Sequence, residues 1–375
     1  MITQKDVQSI LKKYDKKDIH IGVIGGHSAL DVCRGAKDLG FKTVVVCEKG
    51  REKTYSEYFK SRGTKGVVDE IILVDKFKDI TSKEVVKKLQ RFNTIFIHSR
   101  YFWVYCDFDE FENEFLVPLI GNRSLLKAEE RDQTNNQYDL LQKAGIRIPK
   151  QFSNPKDIDR LVIVKAAEKQ RTYERAFFFA DSAESYKKNS DKLIKDGKIT
   201  KEGLIKARIE EYIVGAQINF NFFYSSLNNE LEILGTDIRR QTNIDGLLRL
   251  PAEIQTNVAS FLRPSYIENG HIAVTVKESL LEKAFAAGEA FVKIAKKEYP
   301  PGIIGPFALQ GAIIPGPPKE ELIVFDVSLR IPGSPGTMFT PYSGYLYGQN
   351  MSFGKRISIE INEAIAKNKL GEIIT

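Results

Sequence analysis

Apolar and polar residues along this chain change rhythm twice. Over residues 4–15 (QKDVQSILKKYD), Val7, Ile10 and Leu11 share one helical face, and HIGVIGGHSALDVCRGAKDLG then reads as buried strand, glycine turn and helix. KTVVVCE and DEIILVD follow as buried strands, SKEVVKKLQRF as a helix and NTIFIHS as a fourth strand. Near-continuous apolar strands alternating with helices predict an open, mostly parallel α/β layer over residues 1–125, whose ligands bind beyond the C-terminal ends of the strands.

The rhythm changes near 126. LLKAEERDQTNNQYDLLQKAGI predicts one helix ending at Gly145, and IPK then enters a new lobe. Next come the strand RLVIVKAA, a Lys-rich helical stretch AESYKKNSDKLIKDG, the strand ARIEEYIVG, and the long strands QINFNFFYSS and ELEILGTDIRR joined through Leu227, Asn228 and Asn229. The last third holds a helix (KESLLEKAFAAGEAFVKIAKKEY), a hairpin-like pair (GPFALQGAII and EELIVFDVSLR), a Gly/Pro-rich loop and a closing helix. The second half is therefore α+β and largely antiparallel. The expected division is 1–125, 126–209 and 210–375, with no internal repeats.

Composition narrows the class. A chain of 375 residues, 42% hydrophobic and 28% charged, can bury a large core. No apolar run approaches the roughly 20 residues of a membrane span, and the N-terminus carries charge where a signal peptide would be apolar, so a cytoplasmic location without membrane contact is expected. Cys33, Cys47 and Cys106 are scattered among apolar residues and read as reduced packing residues. The net charge of +7 is spread over many amphipathic segments, which suits phosphate-bearing small molecules better than nucleic acid. Abundant Lys, Glu and Ile also suit a heat-adapted source.

Several residues are candidates for chemistry. The turn Gly25-Gly26-His27-Ser28 follows a strand and opens a helix, so its amides could hold a phosphate monoester; a purely structural turn is the alternative. It has neither GxGxxG nor Walker spacing. His20 and His98 read as surface or packing residues, whereas His27 and His271 each lie beside glycine in what read as turns (GGHS, NGHI), where a side chain can project into a cleft or merely face solvent. No His pair has i, i+4 metal spacing. Lys165 ends an apolar strand where a cation could meet phosphates or simply be solvated. Glu210-Glu211-Tyr212-Ile213 puts carboxylates on an apolar strand, costly without polar partners. Gln310 and Asp326 sit in adjacent apolar strands, where two oxygens suit Mg²⁺, and Arg330, four residues beyond Asp326, is expected on the same strand face as that carboxylate; a ligand-free Asp–Arg pair is the alternative.

The ordered segments GGHSAL, FLVPLIGNR, IRIPK, VIVK, EEYIVG, NIDGLLRLPA, PSYIENGHI, PPGIIGPFALQ, VFDVS and MSFGKRI resemble the archaeal 5-formaminoimidazole-4-carboxamide ribonucleotide synthetases of the ATP-grasp superfamily, over nearly the whole chain. The resemblance implies an ATP-grasp fold behind an N-terminal α/β lobe. It implies a C–N ligase that formylates the aminoimidazole carboxamide ribonucleotide (AICAR) to FAICAR with ATP and formate, through formyl phosphate, in purine synthesis. It implies Mg²⁺ or Mn²⁺ and a homo-oligomer, trimer or hexamer. Carried over by motif, Gly26, His27, Ser28, Ser99, Tyr101, Asn243, Asp245 and His271 would lie at AICAR. Lys165, Lys169, Arg171, Glu210, Glu211, Tyr212, Ile213 and Gln241 would lie at ATP, Gln310 and Asp326 at the metal, and Arg330 at the transferring phosphate.

The chain departs from the family pattern after VIVK, where AAEKQRTYERAFFF has no glycine and only Lys169, Arg171 and Arg175 to offer phosphate. It departs again at Ser99-Arg100-Tyr101, where His-Gly-Ser is usual, at Gln241 in place of an acidic residue, and at Asp326 in place of Glu. Such changes keep open an ATP-grasp ligase with another carboxylate and amine, or a non-catalytic nucleotide-binding paralogue.

Overall fold

The computed structural model describes residues 1–130, 133–166, 177–259, 261–262 and 267–375. Five strands, β1 (His20–Ile24), β2 (Lys42–Glu48), β3 (Glu70–Val74), β4 (Thr94–Ile97) and β5 (Leu119–Ile120), form a wholly parallel sheet in the order β3-β2-β1-β4-β5. The order reverses between β1 and β4, and the crevice at such a switch point is where α/β sheets take ligands. Both β1 and β4 are buried along their whole length, as their unbroken apolar runs require.

The closing helix Phe353–Ala366 returns to this sheet. Its Phe353, Ile357, Ile361 and Ala364 share a core with Val32, Cys33 and Ala36 of the helix Ala29–Asp38. A Cβ on Gly35 would lie 2.0 Å from the Gly354 backbone, and one on Gly354 would lie 2.1 Å from Asp31, so both glycines are needed for the helices to touch.

A small antiparallel sheet, ordered β6-β9-β7-β8, follows from β6 (Gln151–Phe152), β7 (Val162–Lys165), β8 (Phe177–Ala180) and β9 (Arg208–Glu211). The large antiparallel sheet is ordered β12-β11-β10-β13-β14 and holds β10 (Ala216–Ser225), β11 (Glu230–Gln241), β12 (Glu268–Ala273), β13 (Gly305–Ile314) and β14 (Glu321–Ser328). The helix Glu278–Glu298 covers it, placing Phe291 and Ala284 against Phe222 and Phe307. Among the described residues no helix is long and apolar enough to cross a membrane.

Three expectations are corrected. The single helix expected up to Gly145 is a 3-10 turn, Leu126–Glu129, and a separate helix, Gln137–Lys143. Asn136 restarts the chain there, its side chain accepting from the Tyr138 amide at 2.9 Å while Asp139 accepts from the Asn136 amide at 3.0 Å. His271 is not in a turn but in β12, opposite Arg239, because Asn269-Gly270 runs along the edge of the large sheet. Arg330 lies just past the end of β14 at Ser328, so it does not share a strand face with Asp326.

Candidate active site

Between the small and large sheets runs a cleft of about 970 Å³, at the upper end of small-molecule sites. Lys165 ends β7 inside it, 11% exposed, and forms an ion pair with Glu210 of β9, whose side chain is 1% exposed. Lys165 also donates to the Tyr138 hydroxyl at 3.1 Å and the Phe325 carbonyl at 3.4 Å. The costly buried carboxylate of EEYI is thus answered by a lysine. Glu211 also lines the cleft and accepts from the Lys150 amide and Arg160 Nη1, both at 3.3 Å. Tyr212 stands edge-on to Phe179, ring centroids 5.2 Å apart, and Ile213 packs with Ala312 and Ile323.

At the far side of the cleft the Gln241 amide donates to the Asp245 carboxylate, closing the turn in which Asn243 adopts φ +50°. Gln241 and Asp245 line the cleft, and Asn243 is not among its lining residues. Lys169 and Arg171, together with Arg175, lie outside the described residues.

A second pocket, about 30 Å³, adjoins the cleft, and Arg100, Asn219, Arg239 and Arg330 line both. It has room for one or two water-sized groups. His27, Ser99, His271 and Gln310 line it, so the structure brings together residues from the first lobe and the large sheet. His271 Nδ1 lies 2.5 Å from Asp237 Oδ2 and Nε2 lies 2.9 Å from Glu268 Oε1. Burial opposes charge on this imidazole, but the two carboxylates outweigh it and raise its pKa to about 9. Asp237 also accepts from Asn221 at 2.6 Å and Asn219 at 3.0 Å, and Glu268 pairs with Arg239 Nε at 3.0 Å. His27 is shifted the opposite way: loss of water around its ring lowers its pKa, with the His271, Arg100 and Arg330 charges acting in the same direction and Glu268 against them.

The glycine turn is held by rings. A Cβ on Gly26 would lie 2.3 Å from the Tyr101 ring, and one on Gly25 would lie 2.7 Å from Tyr55. Ser28, at φ +66°, donates its hydroxyl to the Pro332 carbonyl at 2.8 Å, which docks the turn on the large-sheet lobe. His98 is a packing residue, its ring nitrogens 2.9 Å and 3.1 Å from the carbonyls of Ile120 and Leu329, and burial pushes its pKa down to about 4.

Gln310 stands opposite Asp326 across β13 and β14, but its amide oxygen accepts from Arg239 and its nitrogen donates to Ser328 at 2.8 Å. Asp326 lines the cleft with the buried Glu129, which sits 3.5 Å from Arg330. The Glu129 pKa is raised, chiefly by burial and further by Asp326, while Arg330 opposes the shift. Among the described residues, no cluster of three or more His, Cys, Asp or Glu is arranged to hold a metal.

The sequence reading missed Asn219, Asn221, Asp237, Arg239 and Glu268. For the first four the signal was there as period-two polarity: Asn219 and Asn221 alternate with phenylalanines on β10, and Asp237 and Arg239 alternate on β11. Asn219 faces both Asp237 and Gln310 in register, so one sheet face carries the polar set.

Comparisons with known proteins agree with this architecture. Two family models match, "Protein of unknown function (DUF1246)" over residues 21–152 and "Domain of unknown function (DUF1297)" over residues 185–375. The chain is 39% identical over 377 residues to a Methanothermobacter thermautotrophicus protein named 5-formaminoimidazole-4-carboxamide-1-(beta)-D-ribofuranosyl 5'-monophosphate synthetase, covering 100% of this chain and 99% of that one. The crystal structure of an IMP biosynthesis protein PurP from Thermococcus kodakaraensis superposes with a TM-score of 0.69 at 26% identity, over 95% of this chain and 100% of that one. The ADP complex of N5-carboxyaminoimidazole ribonucleotide synthetase shares the fold, with a TM-score of 0.58 at 11% identity over 89% of this chain and 78% of that one. The fold is ATP-grasp, with a parallel α/β lobe in front.

Proposed function

The chain belongs to the family of archaeal 5-formaminoimidazole-4-carboxamide-1-(beta)-D-ribofuranosyl 5'-monophosphate synthetases, and from that premise we propose that it formylates AICAR to FAICAR, consuming ATP and formate and releasing ADP and phosphate. It is a C–N bond-forming ligase of IMP synthesis. The observation that carries the reading is the pair of joined cavities: a nucleotide-sized cleft opening into a pocket small enough for a one-carbon acid, with guanidinium groups where they meet.

In this reading the small and large sheets clasp ATP, with Lys165 at its phosphates and the strand from Glu210 to Ile213, with Gln241, toward its base and ribose. Formate is a poor electrophile until phosphorylated. Its oxygen attacks the γ-phosphorus, ADP departs with the bridging oxygen, and the ribonucleotide amine then attacks the formyl carbon and expels phosphate. His27, Ser99, His271 and Asp245 face the acceptor side, with Gly26, Ser28 and Tyr101 forming the support behind His27 and Asn243 behind the turn that carries Asp245. The 30 Å³ pocket cannot hold a ribonucleotide, so AICAR lies across its mouth in the larger cleft.

Magnesium or manganese fits as a phosphate-bound ion, since such ions take one or two carboxylates and complete their shell with water and phosphate. Asp326 would hold it, and Gln310 would join only on giving up its Arg239 bond. When bound, the ion offsets charge on the phosphate groups. The reading carries with it a cytoplasmic, homo-oligomeric enzyme without nucleic-acid or membrane partners.

The test is ADP release by the purified protein with ATP, Mg²⁺, formate and AICAR, omitting each in turn. Turnover that needs both formate and AICAR supports the reading. Turnover that ignores either one overturns it in favour of another carboxylate and amine.

A further inference from the structure

We propose that Arg100 is a catalytic residue of this chain, completing a three-guanidinium seat for the phosphorylated carboxylate where the two cavities join. The inference rests on the reading of the large cleft as an ATP site. Of the residues that line both cavities, three are arginines, and each comes from a different part of the fold. Arg239 is on β11, Arg330 follows β14, and Arg100 stands three residues beyond the end of β4, at the switch point of the parallel sheet. Two lobes therefore contribute positive charge to the walls that the cavities share.

Carboxylates stand close to Arg239 and Arg330. Arg239 Nε lies 3.0 Å from Glu268, and Arg330 Nε lies 3.5 Å from Glu129. Asp237 and Asp326 add further negative charge to the walls. An acyl phosphate with ADP beside it adds more, and each guanidinium at the junction offsets part of that charge. Arg100 reaches the junction from the parallel-sheet lobe. It lines the small pocket beside His27 and the cleft beside Glu129.

Arg100 also has a rigid base. It opens the short helix Arg100–Tyr105, where Ser99 accepts from the Tyr101 amide at 3.4 Å. Phe102 is buried against Phe96, Phe111 and Phe115, with ring centroids 5.5, 4.6 and 5.3 Å away, and Tyr101 is locked over Gly26. An arginine on such a base starts from a fixed backbone position, which lowers the cost of aligning its guanidinium with a transferring group.

The chemistry gives it two tasks. In the first transfer the carboxylate oxygen bonds to the γ-phosphorus as the bond to the β,γ-bridging oxygen breaks, and ADP leaves with that electron pair. In the second the amine nitrogen bonds to the acyl carbon, the carbon–oxygen bond breaks toward phosphate, and the nitrogen's proton leaves with phosphate or water. The phosphoryl oxygens stay anionic throughout. A guanidinium held on them lowers both barriers without entering the bond changes.

The experiment compares Arg100→Ala and Arg100→Lys with the unchanged protein. Three quantities are read: ADP release with ATP, formate and AICAR; the Kd of ADP; and the Kd of inorganic phosphate for the Mg-ADP-bound protein. Arg100→Ala should lower kcat on the order of 100- to 1,000-fold, the scale of losing one pre-organised donor. ADP affinity should stay within about threefold and phosphate binding should weaken about tenfold, since the contact is with the transferred group alone. Arg100→Lys should fall between, and guanidinium ion should restore part of the Arg100→Ala activity. A kcat within about threefold of the unchanged protein, or a loss matched by weaker ADP binding with phosphate binding intact, overturns the role. If the unchanged protein releases no ADP in a formate-dependent way, the functional reading fails, and the phosphate-binding comparison still decides whether Arg100 holds a phosphoryl group.

Discussion

His271 and Asp237 are joined by a 2.5 Å hydrogen bond from imidazole Nδ1 to carboxylate, and Glu268 takes the other ring nitrogen at 2.9 Å. A ring with both nitrogens donating to carboxylates is an imidazolium, in keeping with a pKa of about 9. Its folded pKa lies above the unfolded value, so the native state holds its proton more tightly. The stabilisation is complete below about pH 6.5 and is lost as pH rises through about 9. Thermal unfolding between pH 6 and pH 10 should show Tm falling across that window, and His271→Gln should flatten the fall. An equal slope in the variant would assign the loss to other groups.

The Lys165–Glu210 pair predicts a coupled effect on binding and stability. Glu210 is buried in the cleft wall, so Lys165→Met leaves its carboxylate without a cation at 1% exposure. Breaking a buried pair from one side costs roughly 3–5 kcal/mol. The variant should unfold at lower denaturant, and it should bind ATP at least about tenfold more weakly because a phosphate-facing cation is gone. Lys165→Met/Glu210→Gln should recover most of the stability and none of the ATP affinity. Recovery of both would make the lysine a packing residue.

What was legible in the sequence follows the physics of each signal. The parallel sheet could be read because buried strands such as VVVC are continuous apolar runs, and the Lys165 and Glu210 positions because charge in an apolar strand is costly. The helix expected through residue 145 misled because its apolar spacing survives the Asn135-Asn136 break, where a local side-chain cap overrides periodicity. The acceptor-side polar set was hidden for a different reason. Asn219, Asp237, His271 and Gln310 sit on four strands, and only strand order and register bring them to one face. Arg100 showed only as part of a departure from the family pattern at Ser99-Arg100-Tyr101, since its place depends on where two lobes dock.

The size of the small pocket predicts carboxylate selectivity. At about 30 Å³ it takes a one-carbon acid and resists an added methyl group. Acetate should support ADP release at least about 100-fold less well than formate in kcat/KM. Gly333→Ala should tighten the site further, because its Cβ would lie 3.1 Å from His27 Nδ1 and force the imidazole to shift. The formate KM should rise while Tm stays within a few degrees. Equal use of formate and acetate would place the carboxylate outside this pocket.

Arg356 gives the last prediction, on the join between the closing helix and the large sheet. It is 2% exposed and donates Nε and Nη2 to Glu232 of β11 at 2.8 and 2.6 Å, and Nη1 to Glu360 at 2.9 Å, with its guanidinium 4.2 Å from the Phe223 ring. Ser225 donates to Glu360 at 2.9 Å, so the cluster is closed on all sides. Arg356→Met would leave two carboxylates buried at 1% and 3% exposure without their cation, a loss of roughly 3–5 kcal/mol. Because desolvation of the charges offsets much of their attraction, Arg356→Met/Glu232→Leu/Glu360→Leu should regain most of that loss. Denaturant midpoints of the two variants decide it. A single variant as stable as the unchanged protein would mean that apolar packing alone carries this join, and a triple variant no better than the single one would mean that the ionic geometry itself holds the closing helix in register.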